Sequence, residues 1–250
     1  MKSIGRSFNQ IVSENVLSQY SVMHKFGENP EIDTDSDPED IWDYGGLYTF
    51  SATADITQVA SSSIADTGPL TVIGLDENWE EVTQSITLTG RTPVVLSTPL
   101  IRLYRMYNID SDVLVGDVYA AITGATFGSG VPDTASEVRG MIRIGNEQTL
   151  MCIYTIPSGC IGYMYSSYVA YGKSSSTGAS MTMRMRPFGQ TFKVKNKIAI
   201  IGSGTSLWTK PTIFPSAIPA KTDILIRCDD VEANNTNITA GFEILLKEIA

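Results

Sequence analysis

The sequence predicts an all-β protein: an antiparallel β-sandwich of the jelly-roll type, preceded by an extended N-terminal arm. Three observations predict it. Short runs with period-2 alternation recur from Tyr48 to the end of the chain. Clusters of Gly, Asn, Asp, Ser and Pro separate them. No helical stretch long enough for a crossover lies between them, which disfavours a parallel βαβ sheet. The chain has 250 residues, 42% hydrophobic and 18% charged, enough to bury a core.

Residues 1–48 read differently from 49–250, so the boundary between arm and sandwich body is placed there. Phe8, Ile11, Val12, Asn15, Leu17 and Tyr20 have the spacing of a short helix. From Glu28 to Asp43 the chain carries eight acids and no Lys or Arg. The remaining 19 acids nearly balance the 18 basic residues, so this stretch holds almost all of the net charge of −9. Pro30 and Pro38 oppose a helix there. The stretch ends in IWDYGGLYTF, aromatic and then glycine-hinged.

The body begins with TFSATADITQV, LTVIGL, EEVTQSITLTG, PVVLS and IRLYRMYNI. DVYAAI, VRGMIRI and QTLMCIYTI follow. The last third reads GCIGYMYSSYVAYG, ASMTMRMRPF, TFKVKNKIAI, TDILIRCD and AGFEILLKEI. SSSTGAS, GSGTS and DDVEANNTN read as turns between them. Met181, Met183 and Met185 alternate with Thr182, Arg184 and Arg186, which predicts a core face and an outer face. Arg184, Arg186, Lys193, Lys195 and Lys197 form a basic ridge if the two neighbouring strands pair. That ridge is a solvated face that discourages edge aggregation, or a dock for the acidic stretch.

Composition excludes several functions. A net charge of −9 argues against nucleic-acid partners and anionic membranes. No apolar run approaches membrane-spanning length, and the first residues lack the pattern of a signal peptide. Cys152, Cys160 and Cys228 form no CxxC pair and read as free thiols. The single His24 leaves most zinc sites and catalytic triads without a ligand or base. Asp33-x-Asp35-x-Asp37 starts like a calcium loop but carries Pro38 where glycine is needed and Tyr44 at the twelfth position. Asp76, Glu77, Glu80 and Glu81 read as turn acids rather than a hydrolytic pair. The glycines at 202 and 204 lack a Walker lysine. The sequons at Asn234 and Asn237 read as turn residues. Tyr163, Tyr165, Tyr168 and Tyr171 suit a core or a subunit interface better than a sugar platform. No catalytic, cofactor or metal constellation emerges, so the chain reads as non-enzymatic with no cofactor.

The stretches HKFGENPEIDTDSDPEDIWDYGGLYTF and VIGLDENWEEVTQSITLTGRTPVVLSTPLIRLYRMYN resemble a group of tailed-bacteriophage virion proteins. NEQTLMCIYTIPSGCIGYMY, MRMRPFGQTFKVK, KTDILIRCDD and AGFEILL extend the resemblance from about His24 to the end of the chain. The residues carrying it at the N-terminal end include Lys25, Phe26, Gly27, Asn29, Pro30, Asp33, Pro38, Glu39, Asp40, Ile41 and Trp42. The resemblance implies an oligomeric structural component of a phage particle, located in the virion, with the arm as its attachment. The assembly contacts expected on that basis are Phe26, Pro30, Pro38, Ile41, Trp42, Tyr44 and Tyr48. The leading expectation is a capsid cement or decoration protein, trimeric, partnered by the major capsid protein or other virion proteins. The alternative is a tail, neck or fibre-base component with receptor contact. On the first reading, removing residues 1–48 leaves a folded body that no longer binds capsids.

Overall fold

The structure, a computed structural model, describes residues 11, 12, 14 and 16–249, without the side chains of 173–176 and 203. It is built from antiparallel strands, as the alternation predicts. In chain order these are β1 (Tyr20–Ile32), β2 (Glu39–Asp40), β3 (Ile56–Ser61), β4 (Pro69–Leu75), β5 (Glu81–Thr87) and β6 (Val94–Leu100). Next come β7 (Arg102–Asn108), β8 (Val118–Ile122), β9 (Phe127–Gly128), β10 (Val131–Pro132), β11 (Val138–Ile142) and β12 (Ile153–Thr155). The C-terminal third supplies β13 (Cys160–Arg186), β14 (Lys193–Pro211), β15 (Ala217–Ile218), β16 (Asp223–Val231) and β17 (Thr236–Glu248).

The middle of the chain forms a compact sandwich. The sheet β11-β8-β3-β6 faces the sheet β5-β4-β7. Ile56, Val59, Leu70, Val72, Leu100 and Leu103 pack between them. Both chain ends build the second, larger sheet, in which β17 and β16 lie end to end along β13. On their other side run β1 against β17, then β2 and β12 against β16. β14 lies along the far side of β13.

The larger sheet is bent along one line. Asn237 pairs with Gly172 and Val231 with Ala179, so residues 232–236 lie opposite 173–178. At the same level Lys173 pairs with Gly204 but Thr177 with Gly202, so three residues of β13 oppose one of β14. β1 shifts register between Asn29 and Ile32 on the same line. Such irregularities bend strands. The result is visible in β14: Lys195 and Lys210 line one cavity, although a straight strand would hold them roughly 50 Å apart at about 3.3 Å per residue. The ribbons therefore fold back on themselves. Val169 and Tyr171 from one half of β13 and Met181 and Met183 from the other share a single core.

Three sequence expectations are corrected here. SSSTGAS and GSGTS are not chain reversals but the bend in two continuous strands. The segment expected as an arm is, from Tyr20, a strand of the sheet, so deleting residues 1–48 removes β1 rather than a detachable extension. Of the helix expected upstream, Ile11 and Val12 take a helical turn, Tyr20 begins β1, and Phe8 and Asn15 lie outside the described residues. Met181, Met183 and Met185 do face the core, as predicted.

Residues 150–152 cross over β1, and this crossing requires glycine. The amide of Cys152 donates to Ile41 O at 2.9 Å, and that of Glu28 to Leu150 O at 3.4 Å. A Cβ on Gly27 would stand 2.2 Å from Cys152 N and 2.7 Å from Ile41 O, both backbone atoms. Backbone cannot swing aside as a flexible side chain can. Gly27→Ala is therefore expected to destabilise by about 3 kcal/mol, at the upper end of overpacking effects. Urea unfolding measures it, and a loss below about 1 kcal/mol would refute the crossing.

Polar groups join the inner sandwich to the larger sheet. Asp223 on β16 accepts from Arg102 of β7 at 2.8 Å, from Thr155 at 2.6 Å and from Arg186 at 2.6 Å. Lys25 of β1 donates its ammonium hydrogen to the carbonyl of Tyr104. Burial, with the Arg105 charge adding to it, pushes the Lys25 amine from 10.5 down to about 7.

Candidate assembly surface

The acidic stretch is occupied within the chain. Asp40 is fully buried and takes both a 2.7 Å bond from Arg227 Nε and a 2.8 Å bond from the Tyr48 amide. Glu39 accepts from Asn29 at 2.8 Å, from the Gly46 amide at 2.6 Å and from the Ser36 hydroxyl. Asp37 accepts from the Val231 amide at 2.9 Å, and Asp33 from that of Asn235 at 2.7 Å. Asp43 accepts from the Leu150 amide at 3.0 Å, and burial pushes its carboxyl up to about 6. These carboxylates are thus fastened to β1, β16 and neighbouring loops. The basic ridge is likewise partly spent, with Arg184 paired to Asp229 and Arg186 to Asp223.

The seven expected contact residues separate into two groups. Ile41, Trp42 and Tyr48 are buried in the chain's own core, so they are not free to meet a neighbour. This corrects the expectation, and the reason is the stitching of residues 150–152, which draws 41–43 inward. Trp42 instead packs edge-on against Tyr48, with ring centroids 5.0 Å apart. Phe26, Pro30 and Tyr44 are half-buried and Pro38 is exposed. Of the four tyrosines, Tyr171 is fully buried. Tyr168 lies over Gly241, whose Cβ would stand 2.5 Å from its ring.

A different surface is open. β14 is 19 residues long and pairs with β13 alone, so among the described residues its other edge has no strand partner. Ile198 and Ile200 face the core while Lys193, Lys195, Lys197 and Ile201 point out. An edge of this kind is a template for pairing. Beyond it, Pro211-Thr-Ile-Phe-Pro215 leads to β15, and the Thr212 amide anchors this loop to Tyr165 O at 2.7 Å. Ile213 and Phe214 are 82% and 88% exposed. The fold-back brings Pro187, where the β13–β14 turn begins, to the cavity that Thr212 and Ser216 also line. That turn carries Phe188, 65% exposed, its ring 5.4 Å from Trp79. Sequence reasoning missed Ile213, Phe214 and Phe188. The available signal was two apolar residues in a proline-bounded loop with no periodic partner.

No family model and no curated protein sequence matches the chain. Among solved structures it is similar to the tandem N-terminal CBM22 domains of Paenibacillus barcinonensis Xyn10C, at 7% identity and TM-score 0.26, covering 94% of each chain. It is also similar to the infectious bursal disease virus VP2 subviral particle, at 10% identity and TM-score 0.23, covering 92% of this chain and 72% of that one. A third is Arthrobacter globiformis T6 isomalto-dextranase complexed with panose, at 10% identity and TM-score 0.25, covering 88% and 36%. Likenesses at this level carry no argument about function. The chain's own strands establish the class: an antiparallel all-β protein in which, among the described residues, the outer edge of β14 is unpaired.

Proposed function

We propose that this protein is a non-enzymatic structural component of a bacteriophage particle, a cement protein that clamps neighbouring capsid subunits. The single observation that carries the reading is the apolar end described above. Ile213 and Phe214 stand exposed side by side in the loop that follows an unpaired strand edge. Grouped apolar side chains of that size mark protein interaction surfaces. The resemblance to tailed-phage virion proteins supports the same reading. In this role the folded sheet is the rigid block. The loop at 211–215 supplies anchors to a neighbouring copy or to the major capsid protein, and the edge of β14 adds backbone bonds. Self-association as a trimer belongs to the proposal.

The test is the pair Ile213→Ser with Phe214→Asp. Both side chains are exposed, so the unfolding free energy is expected to change by no more than about 0.5 kcal/mol. Association with capsid shells, and between copies, is expected to weaken at least about tenfold, as for central apolar anchors. Light scattering reads the oligomer, and co-sedimentation with shells reads the attachment. Unchanged association in both would overturn the assignment of this surface. Quantitative mass spectrometry of purified virions separates the positions. A copy number near that of the major capsid protein fits a cement role. A single ring of copies places the protein at the portal, tail or fibre base.

A further inference from the structure

We infer that the cavity between the two ends of β14 is a binding site for a carboxylate carried on an apolar stem. The cavity measures about 300 Å³. Its chemistry has three parts. Lys195 and Lys210 line it from opposite ends of the folded strand, and no Asp or Glu lines it. Neither lysine has an ion-pair partner among the described residues. Two exposed lysines bordering one cavity place positive charge at its rim, which an anion between them would neutralise. Thr222 is 1% exposed and its hydroxyl has no hydrogen-bond partner, and the buried Nδ2 of Asn196 has none either. Both residues line the cavity. Buried polar atoms are ordinarily satisfied, so two orphaned groups in a cavity bordered by two unpaired lysines point to a missing acceptor. The buried side chains of Met164, Met183, Met185 and Ile218 supply the apolar wall.

These features select the ligand. A carboxylate accepts from several donors at once. A free inorganic anion would leave the methionine wall unused, and an uncharged hydrocarbon would leave the donors unpaired. At roughly 30 Å³ per water the space equals about ten waters, room enough for a medium-chain acid. A free medium-chain acid and the C-terminus of a polypeptide ending in leucine present the same chemistry. The inference does not depend on the assembly role.

The experiment is calorimetric titration of the full chain with octanoate, octanol and octylamine, followed by methyl NMR of the methionines. Octanoate is expected to bind one to one and to shift the Met183 and Met185 methyl signals. Octanol and octylamine are expected to bind at least about tenfold more weakly, the usual value of charge-assisted bonds. Lys195→Met with Lys210→Met, both at exposed positions, is expected to lower octanoate affinity by about tenfold or more. Thr222→Val tests the orphaned hydroxyl once its thermal unfolding matches wild type, and the lysine pair alone carries the test if it does not. A tripeptide ending in leucine, as free acid and as amide, identifies the source. Tighter binding of the peptide acid than of octanoate, with none of the amide, assigns a chain terminus, and the reverse order assigns a free acid. Equal affinity for octanol and octanoate, or undiminished binding by the lysine variant, would overturn the site.

Discussion

An Asp223→Ala protein is expected to lose about 3 to 5 kcal/mol of unfolding free energy, the range for breaking a buried ion pair from one side. The carboxylate stands between two guanidinium groups. Arg102 Nε reaches Oδ1 at 2.8 Å, and Arg186 reaches Oδ2 through both Nε at 2.9 Å and Nη2 at 2.6 Å. The side chains of Asp223 and Arg102 are almost wholly out of water, while that of Arg186 retains some exposure. Truncation strands a buried cation with no counter-charge and leaves the Thr155 hydroxyl without its acceptor. Stacking on Phe50 and Trp79 keeps Arg102 in place but offers no compensating anion. The three positions should therefore rank in cost as Asp223→Ala, then Arg102→Met, then Arg186→Met. Urea unfolding followed by tryptophan fluorescence reads this order, with an unchanged slope confirming two-state comparison. A loss below about 1 kcal/mol at Asp223 would mean that the junction is held by apolar packing alone.

The second large effect is a pH dependence centred on Lys25. Its amine titrates at 10.5 in the ordinary state and at about 7 in the fold. Between those values the unfolded chain binds a proton that the folded chain does not. Stability therefore rises with pH above 7, approaching about 1.4 kcal/mol per unit. The full shift corresponds to about 5 kcal/mol relative to an unperturbed lysine. Buried thiols act in the opposite sense. Burial raises Cys152 well above its ordinary 9.0 and Cys228 to about 12. Above pH 9 the fold keeps two protons that the unfolded chain releases, and two thiols outweigh one amine. Asp43 adds a fall at the acid side, because its raised carboxyl holds a proton between 3.8 and about 6 in the fold alone. The expected profile declines from pH 4 to 6, climbs from 7, peaks between about 8 and 9 and declines again. Lys25→Met removes the climb and leaves the acid decline in place. Chemical unfolding at successive pH values measures both proteins. A climb that survives in Lys25→Met would assign the proton to another group.

The fold class was legible because most strands bury one face and wet the other, as in Met181-Thr-Met-Arg-Met-Arg186. β1 was not, because its pattern is inverted. The positions turned inward are Met23, Lys25, Gly27 and Asn29, while Val22 and Phe26 lie on the outward face. A buried face made of an amine, a glycine and an amide carries no hydrophobic period to read. The bend was half legible: SSSTGAS and GSGTS correctly marked a break in regular structure, but composition does not distinguish a bulge from a reversal. The aromatic residues Trp42, Tyr44 and Tyr48 read as contacts for a neighbouring protein, whereas Trp42 and Tyr48 are buried within the chain. They pack against Tyr119 and Leu225, residues too distant in sequence for local pattern to connect.

The interleaving of the two chain ends governs the order in which the molecule takes shape. Tyr20 finds its partner only when Lys247 has been synthesised. The inner sandwich pairs all its strands within residues 56–142 and is free to condense while the ribosome is still at work, leaving Arg102 to meet Asp223 later. β1 must wait throughout, its ladder unmade, until β17 emerges. The chain therefore pays the entropy of closing its longest loop last, the feature that slows folding in sheets of high contact order. Premature termination anywhere in the final strand strips a partner from β1 and from β13 together.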